Sequence, residues 1–274
     1  MIVHYRKIKE DKGLMFLRKS WLKFKKDVFI IKTLALNEFK LRYLNAKFGY
    51  FWLVISPLVM LLALYIVFSK AVHIEVPHYQ FFLLLGIVIW NFFSEATLQG
   101  MNSLINNKGV LNSISISKHY LVIASFIASL LSFFINLGIF FLFEMVIGIA
   151  FKLSHLLFAL TILECALLVL GISFILSVAY PLSRDVAHLW NIFITISFWV
   201  SPIVYRETQI PKQYLRYYML NPIARIVNEA RDILIYDYVP SIKQIFITIA
   251  IVLIIFIFGL IYFNKKVDKV VEAL

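Results

Sequence analysis

Asn91, Glu95 and Gln99 recur every four residues inside the apolar run FFLLLGIVIWNFFSEATLQGM. At 3.6 residues per turn the three share one face of a helix. Polar side chains in such a run are costly in lipid. They line an aqueous path or hydrogen-bond a neighbouring helix, and the spacing alone suits both. Two further carboxylates, Glu144 and Glu164, lie in later apolar runs. Glu164 is too deep in its run for its side chain to reach water and Glu144 lies near the outer end of its own, and a buried basic partner that the sequence does not name is expected for either.

Other chemistry lacks its residues. There is no G-x-x-x-x-G-K-[ST] loop to cradle nucleotide phosphates and no H-E-x-x-H. The six histidines are scattered; His73 and His78 make at best a weak pair on a loop. No Ser-His-Asp arrangement can be assembled, and the single Cys165 excludes a disulfide framework and a thiolate metal site. The chain is expected to hold no catalytic residue, no metal and no cofactor of its own.

These residues must be positioned by membrane helices. The chain has 274 residues, 62% of them hydrophobic, with mean hydropathy +0.87. That is more apolar surface than one domain can hide from water, so lipid is the expected solvent. Six spans are predicted: Phe51–Ser69, Phe81–Met101, Tyr120–Phe151, Leu156–Tyr180, Ala187–Tyr205 and Ile242–Phe263. Each is long enough to cross a hydrocarbon core of ~30 Å, and the third has length to spare for tilt. The net charge of +12 does not point to nucleic acid, because thirteen of the 27 Lys and Arg precede Tyr50. With six spans and the N-terminus in the cytoplasm, nineteen bases fall on the inner side and eight on the outer. The positive-inside rule therefore favours both termini inside. Residues 1–49 form a cytoplasmic amphipathic segment, 50–264 the transmembrane domain and 265–274 a cytoplasmic tail. The N-terminus does not read as a cleavable signal.

Three polar stretches interrupt the spans. Leu14, Leu17, Trp21, Phe24, Val28, Ile31 and Ala35 step by three and four, which draws an apolar stripe down a helix ringed by bases. Such a helix lies in the inner interface against anionic lipid or packs on a partner protein. Between spans two and three, GMNSLINNKGVLNSISISKH is a short cytoplasmic helix or a plain solvated loop. Between spans five and six, Pro211 and the Asn221–Pro222 pair each favour a helix start, which predicts short helices over 211–220 and 222–236. Neither can span, and Tyr214, Tyr217 and Tyr218 suit an interface. A re-entrant hairpin of this kind needs protein or water over its backbone, so it forms the rim of a pathway or a peripheral cap. Trp52, Trp90, Trp190 and Trp199 are expected as interfacial anchors.

Three motifs in this order carry a family resemblance. The first is EFKLRYLNAKFGYFWLVISPLVMLLALYIVF, with its Gly-x-x-Trp-x-x-x-x-Pro entrance to span one. The second is GIVIWNFFSEATLQGMNSLINNKGVLNSISISK. The third is SRDVAHLWNIFITISFWVSPIVY followed by IP and LNPIARIVNEARDIL, with Arg-Asp-Val, Phe-Trp-x-Ser-Pro-Ile and Asn-Pro elements. The chain resembles the ABC-2 type permeases that export polysaccharides: the O-antigen, capsule and teichoic acid exporters. It departs from them at SISISKHYL, where the family often has Phe-Pro, and this bears on local cytoplasmic geometry.

The resemblance implies an all-α integral membrane fold of six spans and a homodimer in the bacterial or archaeal inner membrane. It implies a separate ABC ATPase that binds ATP and Mg, and a lipid-linked polysaccharide, most closely O-antigen, as substrate. Asn102, Asn106, Asn107, Lys108 and Leu111 would then contact the ATPase. Pro211, Asn221, Pro222 and Arg225 would belong to outer gate helices. Asn91, Glu95, Gln99, Tyr214, Tyr217 and Tyr218 are the candidates for the substrate path, where aromatic faces suit sugar rings. Rival functions are a drug or small-lipid exporter, an integral-membrane transferase acting on polyprenyl-linked sugars, and an ion-coupled flippase using Glu95 and Glu164. The Arg-Asp-Val and Asn-Pro elements count against the first, the missing catalytic cluster against the second, and the missing second repeat against the third.

Overall fold

Every residue from Phe81 to Trp90 is buried, with no polar face left over. A helix apolar all round belongs at the centre of a bundle, and this segment is the first half of the central helix. The computed structural model describes residues 2–44, 48–71, 76–113, 116–147 and 152–273, and all regular structure among them is helical.

The elements in chain order are α1 (Ile2–Leu44), α2 (Phe51–Tyr65, continued by a π-helical turn Ile66–Ala71), α3 (Tyr79–Asn106), α4 (Lys108–Ser113) and α5 (His119–Ile147). They are followed by α6 (Phe158–Leu182, preceded by a 3-10 turn Leu153–Leu157), α7 (Asp185–Val200), α8 (Lys212–Tyr218), α9 (Pro222–Leu234) and α10 (Ile242–Ala273). Central α3 packs on α5, α6, α2 and α9, while α10 lies mainly on α6 and α1 on α5. Small residues set the closest crossings. A Cβ added at Gly100 would fall on Ser173, and one added at Gly259 would fall on the Gly171 carbonyl. The α3/α6 and α6/α10 pairs thus meet nearly backbone to backbone, as helices do in lipid where close packing replaces the hydrophobic drive.

Five described helices are long and apolar enough to cross a membrane: Phe51–Ser69, Tyr79–Asn106, His119–Val146, Ser154–Leu182 and Ile242–Glu272. The fifth of the six expected spans differs. Its helix, Asp185–Val200, has 16 residues and stops short of Tyr205. Pro202 forces the residue before it out of the α region, and Ser201 is extended at φ −83, ψ 152. At 1.5 Å per residue α7 is about 24 Å long, less than the ~30 Å core. The second span runs past Met101, so Asn102 and Asn106 sit on the last turns of α3. The end of the third expected span, residues 148–151, lies outside the described residues, as does His73.

The N-terminal segment is helical over Ile2–Leu44, longer than the stripe that predicted it. The side chains of Leu14 and Leu17 lie outside the described residues. Trp21, Phe24 and Val28 are exposed, whereas Ala35 is buried against the bundle. Trp90 corrects an expectation. It is buried in the middle of α3, edge-on to Phe198, because its position is half-way along a helix surrounded by others. Trp52 and Trp199 are exposed, as interfacial anchors require.

Candidate functional site

Two polar constellations lie at opposite ends of α3. At the end that carries α4, the predicted Asn91/Glu95/Gln99 face meets the last turns of α1. Arg42 Nη1 donates to Glu95 Oε1 at 2.7 Å and to Ser129 Oγ at 2.9 Å. Its Nη2 donates to Glu38 Oε1 at 2.8 Å and to the Ser125 carbonyl at 3.3 Å. Ser125 Oγ donates to Glu38 Oε2 at 2.8 Å, and the Tyr43 hydroxyl lies 3.1 Å from Ser132 Oγ. One guanidinium thus serves two carboxylates. Its side chain is only 12% exposed, so these charge-assisted bonds act in a medium that screens weakly.

From the sequence Arg42 reads only as one of the cytoplasmic bases, without this role. Two signals pointed to it. Glu38 and Arg42 stand one helical turn apart in α1, and Ser125, Ser129 and Ser132 make a polar stripe on α5 at steps of four and three.

At the other end, α9 is buried along most of its length although it is too short to span. Asn221 starts it: its Oδ1 accepts from Ile223 N at 3.1 Å, and its Nδ2 donates to Ser201 Oγ at 3.0 Å. Pro222 occupies the first helical position, where a missing N–H costs nothing. Arg225 Nε donates to Thr248 Oγ1 at 2.8 Å and its Nη2 to the Gln244 carbonyl at 2.9 Å. Thr248 in turn donates to Glu229 Oε1 at 2.6 Å. Glu164 on α6 is buried near Glu229 and Arg225, but both of its oxygens are unpartnered among the described residues, so the expected pairing with a base is not formed. Glu144 is likewise buried, with Oε1 unpartnered among the described residues.

Two residues after Glu229 on α9, Arg231 is 2% exposed. It donates to the carbonyls of Phe82 at 2.8 Å, Ile203 at 2.9 Å and Pro202, and its guanidinium lies 3.3 Å from the Phe82 ring centroid. These bonds tie α9 to α3 and to the turn that ends α7. Burial lowers the Arg231 pKa to about 9, which still leaves it charged at neutral pH. Beside it, Asp232 lines a small cavity of about 70 Å³ with Arg206, Glu207 and Tyr236. Burial first, then the nearby Glu207 and Glu229 charges, push its pKa up to about 6 from an ordinary carboxylate value near 4.

The raised pKa means that the folded state holds a proton the unfolded state has released between pH 4 and 6. Stability contributed by this group is full below about pH 4 and falls as pH rises through about 6. Asp232→Asn is expected to raise the thermal midpoint of the detergent-purified protein at pH 7 more than at pH 4. An equal shift at both pH values would contradict the assignment.

Most residues of both constellations lie between Glu38 and Asp232, with Tyr236, Gln244 and Thr248 beyond, and the match to a known family covers that stretch: the ABC-2 type transporter family fits residues 30–235. The chain belongs to that family. Among individual relatives of this ABC-2 transporter chain, the O-antigen export system permease protein RfbA of Klebsiella pneumoniae is 25% identical over 252 residues. The match covers 89% of this chain and 95% of the relative. The RfbA permease of Myxococcus xanthus is 20% identical over 247 residues, with the same coverage of each. The polysialic acid transport protein KpsM of Escherichia coli is 25% identical over 219 residues, or 77% of this chain and 83% of the relative.

The remaining predicted residues of this ABC-2 chain divide by environment. Asn102 and Asn107 bond back to the α3 carbonyls of Leu98 and Ser103, Asn106 and Lys108 are exposed, and Leu111 packs on an apolar cluster under α4. Tyr214 and Tyr217 of α8 are exposed, while Tyr218 is buried, so the three tyrosines do not share one surface. Pro211 is the residue before α8 and is exposed. Among the described residues no group of three or more His, Cys, Asp or Glu could hold a metal.

Proposed function

We propose that this chain is the permease subunit of an ATP-driven exporter that moves a lipid-linked polysaccharide, O-antigen in the first instance, across the bacterial inner membrane. The observation that carries this is the family match together with relatives named for O-antigen export that align over 95% of their length. The similarity to a polysialic acid transport protein favours a capsule-type polymer as the second reading.

In this reading two copies of the chain pair, and α7 with the turn after it provides a sixth crossing, which leaves both termini in the cytoplasm. The partition into residues 1–49, 50–264 and 265–274 follows. The sequence has no phosphate-binding loop, so ATP and Mg belong to a separate ABC ATPase. That ATPase docks at the α3–α4 corner, where Asn106 and Lys108 are exposed. On the outer side α8 and α9 act as gate helices, with Asn221, Pro222 and Arg225 fixing α9 in its closed position.

Deletion of the gene is expected to remove the surface polysaccharide and a plasmid copy to restore it. Unchanged polysaccharide in the deletion strain would reject the function. A Pro222→Ala copy at matched membrane abundance is expected to restore much less polymer while the ATPase still co-purifies. Full restoration would make α8 and α9 a cap without a gating role.

A further inference from the structure

The polar face of α3 borders two cavities in successive turns. One, of about 370 Å³, is lined by Tyr43, Trp52, Asn91, Ser94, Glu95 and Asn136 among others. The other, of about 410 Å³, is lined by Asn37, Glu38, Arg42, Gln99, Asn106 and Asn107 among others. Glu95 belongs to the first, and Gln99, one turn along, to the second. The Arg42 guanidinium, bonded to Glu95, Glu38 and Ser129, stands at the boundary. That bond joins α1 to α3 between the two cavities.

We propose that the two cavities are halves of one binding groove for an uncharged, hydroxyl-rich head group, a short run of sugar rings, and that the Arg42–Glu95 bridge closes the groove in this conformation. This rests on the permease reading above. The lining selects the ligand class. Its amides and hydroxyls donate and accept without net charge, and Trp52 and Tyr43 offer flat apolar faces to the CH side of a sugar ring. Its charges favour a neutral guest. Glu38 and Glu95 outnumber the one guanidinium, so a phosphate would meet net negative charge. Asn136 Oδ1, at the first cavity, and Arg42 Nε, at the second, are buried without a partner among the described residues, an acceptor and a donor that separate hydroxyls of a guest filling both cavities would satisfy. The groove opens when α1 withdraws from α3 and α5, a movement that breaks the Arg42 bonds together.

The test uses the full exporter in cells. A photo-crosslinking residue at Asn136 is irradiated during active export, and the captured adduct is analysed for carbohydrate. The expected result is an adduct that carries sugar, while the same residue at exposed Val146 captures phospholipid only. In inverted vesicles, Ser94→Cys is expected to react severalfold faster with a polar maleimide when Arg42→Gln or Glu95→Gln is also present. The native Cys165 is buried and leaves the background low. Phospholipid as the sole adduct at Asn136, or Ser94→Cys reactivity unchanged by both variants, overturns the groove while export stands. Loss of the permease reading would show instead as surface polysaccharide that survives deletion of the gene. Glu95→Gln keeps the side-chain shape, so it tests the bridge even if Arg42→Gln misfolds.

Discussion

Arg231→Ala is expected to be among the most damaging single changes on this chain, with little folded protein left in the membrane. The guanidinium donates to the carbonyls of Phe82, Pro202 and Ile203 and covers the Phe82 ring. It is the point where α9, α3 and the end of α7 are joined. Removing it strips donors from carbonyls at a site that water does not reach and leaves a cavity. Each buried acceptor without a donor costs ~1–3 kcal/mol, so the total is roughly 3–5 kcal/mol. That is a large part of a stability that is only ~5–15 kcal/mol in typical domains.

Arg231→Met separates the causes. It fills the space and relieves the cost of burying a charge, which offsets part of the loss. Its expected damage is smaller than that of alanine but still clear. Gly86 offers an independent check, since a Cβ there would stand 2.5 Å from Arg231 Nη2. Gly86→Ala should therefore push the guanidinium off its carbonyls. Thermal midpoints of the purified proteins decide the matter, and an Arg231→Ala protein as stable as wild type would refute the knot.

The second large effect is expected at Gly259. A Cβ there falls on the Gly171 carbonyl, and a Cβ at Gly171 would meet Phe256 Cα at 2.7 Å. The colliding atoms are backbone, so no side chain can swing aside. Overpacking of this kind costs ~1–3 kcal/mol or more. α10 has little else to hold it, because α6 is its main neighbour and much of its surface faces outward. Gly259→Ala should shift α10 away from α6 and strain the Arg225–Thr248 contact at its other end. Gly138→Ala is the control: nothing lies within 4 Å of its added Cβ, and alanine favours the helix by ~1 kcal/mol. Protease resistance and thermal midpoint should fall for Gly259→Ala and hold or rise for Gly138→Ala. Equal behaviour of the two would remove the close crossing as a cause of stability.

The sequence by itself determined the class of this protein. Apolar runs of spanning length, bases massed before Tyr50 and the lack of a nucleotide-binding loop are each legible without a fold. So are the breaks at Pro211 and Asn221–Pro222, because turn chemistry acts over two or three residues. The i, i+4, i+8 face of Asn91, Glu95 and Gln99 was legible for the same reason: helix geometry alone fixes it.

The tertiary structure decided which faces meet. Trp90 is core and not anchor, Arg42 is a half-buried partner of Glu95 and not a solvated base, and short α9 is buried while Tyr214 and Tyr217 of α8 are exposed. Glu164, expected to meet a buried base, is buried with neither oxygen partnered among the described residues. In a soluble protein, apolar periodicity separates core from surface. Here lipid-facing and core-facing residues are both apolar, so that signal is faint. Long-range pairs such as Arg42–Glu95 become visible only once the helices are packed.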